Sequence, residues 1–546
     1  METIDVTAYV VTDDFFGPAY IDADEERDEP EPYRYMHGGF RDTDTRFSFC
    51  FPRAERYQGR MYQPLEGANA GHEHVNSGFR AAAECARFSK HVAAHVYGAP
   101  PQYSYVFGGS GGARRSPQCL QYAPGVWDAA LPFMGDAMVS EHGDFSLLKG
   151  GGSNFTAMFN VQRLLGAKIA DVVDAMAPGG SGDPFAGLDT HQREELNNLY
   201  RLGYPRGDEF MIAQPMGQIW LWASIADSLQ AQGPEYFEAF WTKPGYVGHD
   251  QPSAVQNDLI DVAATVVRTL TAKDLLDDPS VGGPEFDQIR SLASIFAGMQ
   301  DMWDMPMAIE LDHIPNGHRM GAGIRITSGE AGGRQLYCLN GVGNVFLCDG
   351  RGEASNRRFR GVVAGDTVRF DNRPFLAYCY YYRPPAGSWL NYQPVIEQCL
   401  VDLAAWVEQG IEPAGSAFEY RDGKITLPAI AADRGGIQAV VTATANGAAR
   451  VEVRVGEQVT LAMQAELPPG AGTIIGVSWD FDGSGTYPES SKVDGTASKV
   501  ELSVTHRFNE PGTYFATVLV ESHREGDVNA TARRIPNLAA ARVVVS

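Results

Sequence analysis

The chain has 546 residues, 44% hydrophobic and 21% charged, which fits a soluble globular protein of two to four domains with a large core. Its 44 basic and 68 acidic residues give a net charge of −24, a balance that argues against nucleic acid or an anionic membrane as partner. No stretch approaches 18 consecutive apolar residues, and Met1-Glu-Thr-Ile-Asp-Val lacks a basic start and an apolar core, so a cytoplasmic location is expected, with secretion the alternative.

Residues 1–32 are acidic and read as a strand and an exposed loop. Tyr33 to Met36, Thr45 to Phe51 and Gly59 to Gln63 read as three strands at the edge of a sheet. His37-Gly-Gly-Phe40, between the first two, reads as a structural turn. Phe79 to Tyr97 is a helix with Phe79, Ala83, Ala86, Ala93 and Val96 on one face, closed by Gly98 and Pro100-Pro101.

Tyr103 to Phe107 then alternates as a short buried strand and leads into Gly108-Gly-Ser-Gly-Gly112, a G-x-S-x-G match, with Ala113 to Tyr122 able to continue as a helix. Strand, tight turn and helix is the setting a nucleophile elbow needs. A serine at the tip of that turn requires small neighbours, and the first amides of the helix face a developing oxyanion. In a chain with 60 glycines the motif alone is weak; its context carries the reading. Ser110 is therefore the candidate nucleophile. Gly111 and Leu65 are the candidate oxyanion amides, the latter in the turn Pro64-Leu-Glu-Gly67.

Leu131 to Met134 reads as the next strand. From about 140 to 312 the pattern is helical and aromatic-rich, as expected of a lid or substrate-binding insertion. Gly179-Gly-Ser-Gly-Asp183 lacks the final glycine and a preceding strand, so it reads as a loop. Short strands between glycine turns across 318–377 suggest a small β module in or beside the lid. Ile396 to Gln409 is an amphipathic helix through Ile396, Leu400, Leu403, Trp406 and Val407. From about 437 onward the strands are short and separated by turns, which reads as a β-sandwich with Trp479 in its core. Asp480-x-Asp482-x-Ser484-Gly485 has the start of a calcium-loop spacing, but no acid closes such a loop and a hairpin turn is the reading.

Trp479-Asp-Phe-Asp-Gly483 and His506-Arg-Phe-Asn-Glu-Pro-Gly-Thr-Tyr514 resemble the two signature segments of PKD-type domains. The run Ala83 to Gly98, the elbow, and Ala123-Pro-Gly-Val-Trp-Asp128 resemble the α/β-hydrolase superfamily, most of all its tannase- and feruloyl-esterase-like branch. Trp406 to Pro413 and Ala432 to Gln438 resemble segments of bacterial hydrolases that end in a PKD-like domain. The resemblance implies an α/β fold: a hydrolase-type sheet, with strands missing, a helical lid, a small β insertion and a C-terminal sandwich. It divides the chain at 1–139, 140–317, 318–377, 378–436 and 437–546. It further implies a serine esterase or lactonase acting through a Ser110 acyl-enzyme on a small-molecule ester.

Two departures stand against that template. The 39 residues from Pro64 to Gln102 already hold a helix of about 19, so a further strand with its own covering helix does not fit easily. The 23 residues from Arg373 to Val395 contain no Asp, Glu or His, where a triad acid and base are expected. The base is left to a non-standard position, with His74 and His318 the first candidates. The alternative is a hydrolase-like protein that lacks a complete triad and serves a binding or structural role; an internally shortened chain is a third reading. His91 and His95 have metal-ligand spacing without an evident third ligand and read as a solvated face. Seven scattered cysteines without a C-x-x-C pair read as buried thiols. No metal or cofactor is expected. Self-association or a protein partner is assigned to the C-terminal sandwich.

Overall fold

The computed structural model describes residues 8–28, 32–43, 45–65, 78–110, 116, 119–120, 122–135, 161–162, 164–201, 206, 209, 235, 324–331, 334–341, 393–417, 419–421 and 424–546. The chain opens with three antiparallel strands, β1 (Ala19–Arg27), β2 (Tyr33–Phe40) and β3 (Arg46–Pro52), in that order across one sheet. Alternation sends Phe47, Phe49 and Phe51 to one face, where they join Met36 and Phe40. Helix α1 (Gly78–Tyr97) covers this face with Ala81, Cys85, Phe88, Val92 and Ala93. Phe88 and Val92 are fully buried, whereas Phe79 and Val96, expected on the core face, are only half-buried. The helix buries a wider arc than one sheet requires because it also reaches β4 (Arg60–Leu65).

His37-Gly-Gly is not a turn: it lies inside β2, paired to β1 and β3 along its length. Its glycines answer to close approach. A Cβ at Gly38 would stand 2.0 Å from the Tyr20 carbonyl, and one at Gly39 2.5 Å from that of Thr45.

The second sheet runs β4-β5-β6-β8-β7. Strands β4, β5 (Tyr103–Ser110), β6 (Ala129–Gly135) and β8 (Arg334–Gly341) are parallel, and β7 (Ile324–Ala331) closes the edge as a hairpin with β8. The strands read at 323–328 and 335–339 thus sit in the same sheet as β5 rather than in a sheet of their own; residues 342–377 lie outside the described residues. Strand β4 hydrogen-bonds directly to β5, and α1 is the crossover between them. This matches the length argument, which leaves room for one helix there and no strand.

Of the segment read as a helical lid, the described part includes α2 (Ile169–Met176) and α3 (Thr190–Arg201), packed through Val172, Leu196, Leu199 and Tyr200. Helix α4 (Gln393–Gln409) follows, then two short strands, β9 (Glu419–Arg421) and β10 (Lys424–Thr426), and a turn of helix, α5 (Ala431–Arg434).

The remainder is the expected sandwich. One sheet is β11 (Val440–Ala445), β13 (Gln458–Glu466) and β16 (Lys499–Arg507). The other runs β12 (Arg450–Val453), β18 (Ile535–Val545), β17 (Gly512–His523), β14 (Thr473–Asp480) and β15 (Glu489–Ser491). Trp479 is 2% exposed in the core between them, and its indole nitrogen donates to the Ser491 hydroxyl at 3.0 Å. The Asp480 segment is a hairpin turn between β14 and β15: the Asp480 carboxylate accepts the amides of Gly483 at 2.9 Å and Gly485 at 2.8 Å.

Arg542 of β18 ties the α2–α3 segment to the sandwich. It is 2% exposed and donates to the Pro178 carbonyl at 2.8 Å, the Asp174 carboxylate at 2.9 Å and the Asp174 carbonyl at 3.1 Å. A cation thus meets the Asp174 carbonyl in the last turn of α2, where the helix dipole favours positive charge. Gly179, at φ 65°, lets the chain pass: a Cβ there would stand 2.9 Å from Arg542 Cβ. Arg542→Ala is expected to cost about 2–3 kcal/mol in urea unfolding and to speed amide exchange across 169–176 at least tenfold, with strands β13 and β14 unaffected.

Candidate active site

Ser110 is the last residue of β5. Parallel neighbours flank it, β4 on one side and β6 on the other, so it stands at the carboxyl end of three co-directional strands. In open α/β sheets that end is where ligands bind, because the loops leaving parallel strands gather there. The ladder with β6 slips at this point: Gly109 pairs with Phe133, but Ser110 pairs with Gly135. The slip marks where the strand leaves the sheet. Ser116, Cys119, Leu120 and Tyr122 are helical, and the first three are buried. Strand and following helix are therefore both present. Residues 111–115, among them Gly111 and the turn expected there, lie outside the described residues.

Leu65 closes β4 level with Gly108 of β5 and is 4% exposed. The segment Glu66–Ser77 that follows, which contains His72 and His74, lies outside the described residues, as do His249, His313 and His318. The structure thus brings Ser110 and Leu65 to the same end of adjacent strands and does not place either candidate base.

The frame behind Ser110 is held by polar ties from both faces. On the α1 face, the Gln63 amide donates to the Ala82 carbonyl at 2.9 Å and its oxygen accepts from the Trp127 indole at 3.0 Å. This links β4, α1 and the approach to β6. Tyr122 stacks on Phe79 at 5.2 Å, which seats the helical residues that follow β5 on the first turn of α1. At the amino end of β5, the Ser104 amide donates to the Asp128 carboxylate at 2.8 Å and the Asp128 amide donates back to the Ser104 carbonyl at 2.7 Å. On the opposite face, Arg60 of β4 makes a two-pronged bond to Glu408 of α4, at 2.6 Å for both nitrogens, and the Tyr105 hydroxyl donates to Glu408 at 2.8 Å. Burial, and then the bond to Glu408, push the Tyr105 phenol far up, so it stays a donor. For Glu408, burial works upward, but the bonds from Arg60 and Tyr105 outweigh it and hold the carboxyl below its ordinary range.

Two groups were missed in the sequence. Glu84, fully buried on α1, accepts from the Tyr9 hydroxyl at 2.6 Å and from the Thr12 amide and hydroxyl at 3.0 and 2.7 Å, with Arg87 at 3.1 Å. With this many partners it anchors the N-terminal segment. Its sequence signal was a lone acid in an alanine-rich apolar run. The Arg60–Glu408 pair spans 348 residues and had no local signal. The spaced pair on α1 is described: His95 Nδ1 lies 2.9 Å from the His91 carbonyl, and the two rings are 4.6 Å apart. Among the described residues no group of three His, Cys, Asp or Glu side chains is placed to hold a metal ion. His37 meets Asp22 at 2.5 Å on the outer face of the first sheet.

The architecture defines the class: a mainly parallel sheet under helices, joined to a two-sheet β-sandwich. Residues 442–535 match the PKD domain family, so the sandwich carries a PKD domain. Comparison with curated proteins gives no match. Among the described residues no helix is long and apolar enough to cross a membrane.

The depressed Glu408 value fixes a sign. Its bonds stabilise the fold above the ordinary carboxylate pKa of about 4.3, and that stabilisation is lost as pH falls through the lower folded value. Glu408→Gln is expected to lower stability by about 1–2 kcal/mol at pH 7 in urea titrations, with the gap to wild type closing below about pH 4.

Proposed function

We propose that the protein is a serine hydrolase of the α/β-hydrolase type, acting on a carboxylic ester or lactone through an acyl-enzyme on Ser110. The observation that carries this reading is the position of Ser110 at the carboxyl end of the middle one of three parallel strands, with helical residues following. In this mechanism the Ser110 hydroxyl attacks the carbonyl carbon, and its proton passes to a base, for which His74 and His318 are the candidates. The amides of Gly111 and Leu65 stabilise the tetrahedral oxyanion. Collapse expels the alcohol with return of the proton, and water then hydrolyses the acyl-serine. Leu65, at the end of the adjoining strand, is where a second oxyanion amide belongs in such a sheet.

A second reading is a hydrolase-like binding protein without a complete triad. The direct β4–β5 pairing favours it, since that sheet is a strand short of the resembled template.

Active-site titration with a fluorophosphonate separates the two. The hydrolase reading expects stoichiometric labelling at Ser110, abolished in Ser110→Ala, and p-nitrophenyl ester hydrolysis that falls about 10²-fold or more in His74→Ala or His318→Ala. Labelling of Ser110 no faster than of other serines would leave the binding role.

A further inference from the structure

Helix α1 runs against the strands it connects. Its last residue, Tyr97, lies just before β5 begins, and the Lys90 ammonium donates to the Val126 carbonyl, just ahead of β6. In its second turn, the Ala82 carbonyl meets Gln63, close to the carboxyl end of β4. The first turn of α1 therefore stands at the end of the sheet that holds Ser110. The stack of Phe79 on Tyr122 joins that turn to the helical residues that follow β5.

The charge of this turn runs against the helix dipole. It reads Gly78-Phe-Arg-Ala81, with a cation and no acid at the end where the dipole favours an anion. The carboxylate comes instead from the N-terminal segment. Asp13 takes a two-pronged bond from Arg80, at 2.8 Å for Nε. Asp14 lies 3.5 Å from the same guanidinium, which sits over the Phe15 ring at 5.0 Å. One turn further along α1, the buried Glu84 takes three of its bonds from Tyr9 and Thr12, and a buried carboxylate stripped of such donors is costly. Tyr9 also packs edge-on against Phe88 at 4.9 Å. Residues 9–15 thus form a strap laid along the first half of α1. The strap is thin: Val10, Thr12, Asp14 and Phe15 are exposed, and its ties to Arg80 and Glu84 are polar. A segment held in this way opens without global unfolding.

Resting on the reading of Ser110 as nucleophile, we propose that this strap positions the site. By pairing Arg80 and covering Glu84 it fixes the first two turns of α1 and, through Phe79 and Tyr122, the residues that follow Ser110. Asp13 is the positioning residue. It acts through α1, so its loss should lower turnover rather than substrate binding; a displacement of about 1 Å at a reacting group costs about 10²-fold in rate.

The test compares Asp13→Asn, which removes the charge and keeps the shape, with Asp13→Glu, which keeps the carboxylate, in the full-length protein. Asp13→Asn is expected to lower kcat for p-nitrophenyl acetate about tenfold or more, with KM within about twofold of wild type. Amide exchange should quicken about tenfold in the first two turns of α1 and at Leu120 and Tyr122, with β13 and β14 unaffected. Asp13→Glu should recover kcat to within about threefold. Arg80→Gln, which breaks the same pair from the helix side, should repeat the split between kcat and KM. Unchanged kcat, a rise in KM in its place, or unchanged exchange at Leu120 and Tyr122 overturns the proposal and, with Ser110 still labelled by fluorophosphonate, leaves the hydrolase reading standing. So does a loss of kcat with faster exchange in β13 and β14, which marks a general loss of stability. A wild type that neither turns over ester nor labels at Ser110 overturns the hydrolase reading, and the proposal with it.

Discussion

Burial of α4 on two sides is the constraint on which the rest depends. Val395, Ile396, Cys399, Leu400, Leu403 and Ala404 share one core with Tyr105, Phe107, Ala129 and Leu131 of the parallel sheet and with Ile437, Ile535 and Leu538 of the sandwich region. Seventeen residues of helix thereby weld two architectures. The weld has polar rivets. Asp402, 5% exposed, takes a two-pronged bond from Arg524 and a further bond from Gln398 at 3.0 Å, while Glu397 accepts the Arg533 amide at 2.7 Å. A buried carboxylate without such donors would be costly, so α4 and the β17–β18 connection specify each other.

That double burial explains what the sequence could and could not reveal. The apolar stripe Ile396, Leu400, Leu403, Trp406 and Val407 announced a helix with one buried face. Gln398 and Asp402 are polar and lie off that stripe, yet both are buried, because the partners that cover them lie more than a hundred residues further on. Periodicity reports that a face is apolar; it cannot report that a polar face has found donors.

The same limit separates the hits from the misses elsewhere. Tyr103 to Phe107 and the alternating strands around Trp479 were legible because burial and period coincide locally. In His37-Gly-Gly, two adjacent glycines suggested a turn, whereas the cause was the closeness of the Tyr20 and Thr45 carbonyls on flanking strands. The hairpin at 324–341 was legible as strands, but its partner, β6, was not, since strand order across a parallel sheet is set by crossovers rather than by neighbours in sequence. Near the candidate site, the two strands that end at Ser110 and Leu65 were legible as strands; the ties behind them, through Gln63, Trp127 and Glu408, were not.

The family match stops at residue 535, where β18 begins, yet β18 lies between β12 and β17 and, among the described residues, is the only strand β12 pairs with. It also supplies Ile535 and Leu538 to the core around α4, and Arg542 to α2. The strand is translated after every element it joins. On the ribosome, the parallel sheet and its first helix can form early, but α4 has one face uncovered and α2 has no cation at its end until β18 emerges. The core around α4 is therefore completed only by the last strand, and a chain stalled within the PKD-matching region leaves α4 without Ile535 and Leu538.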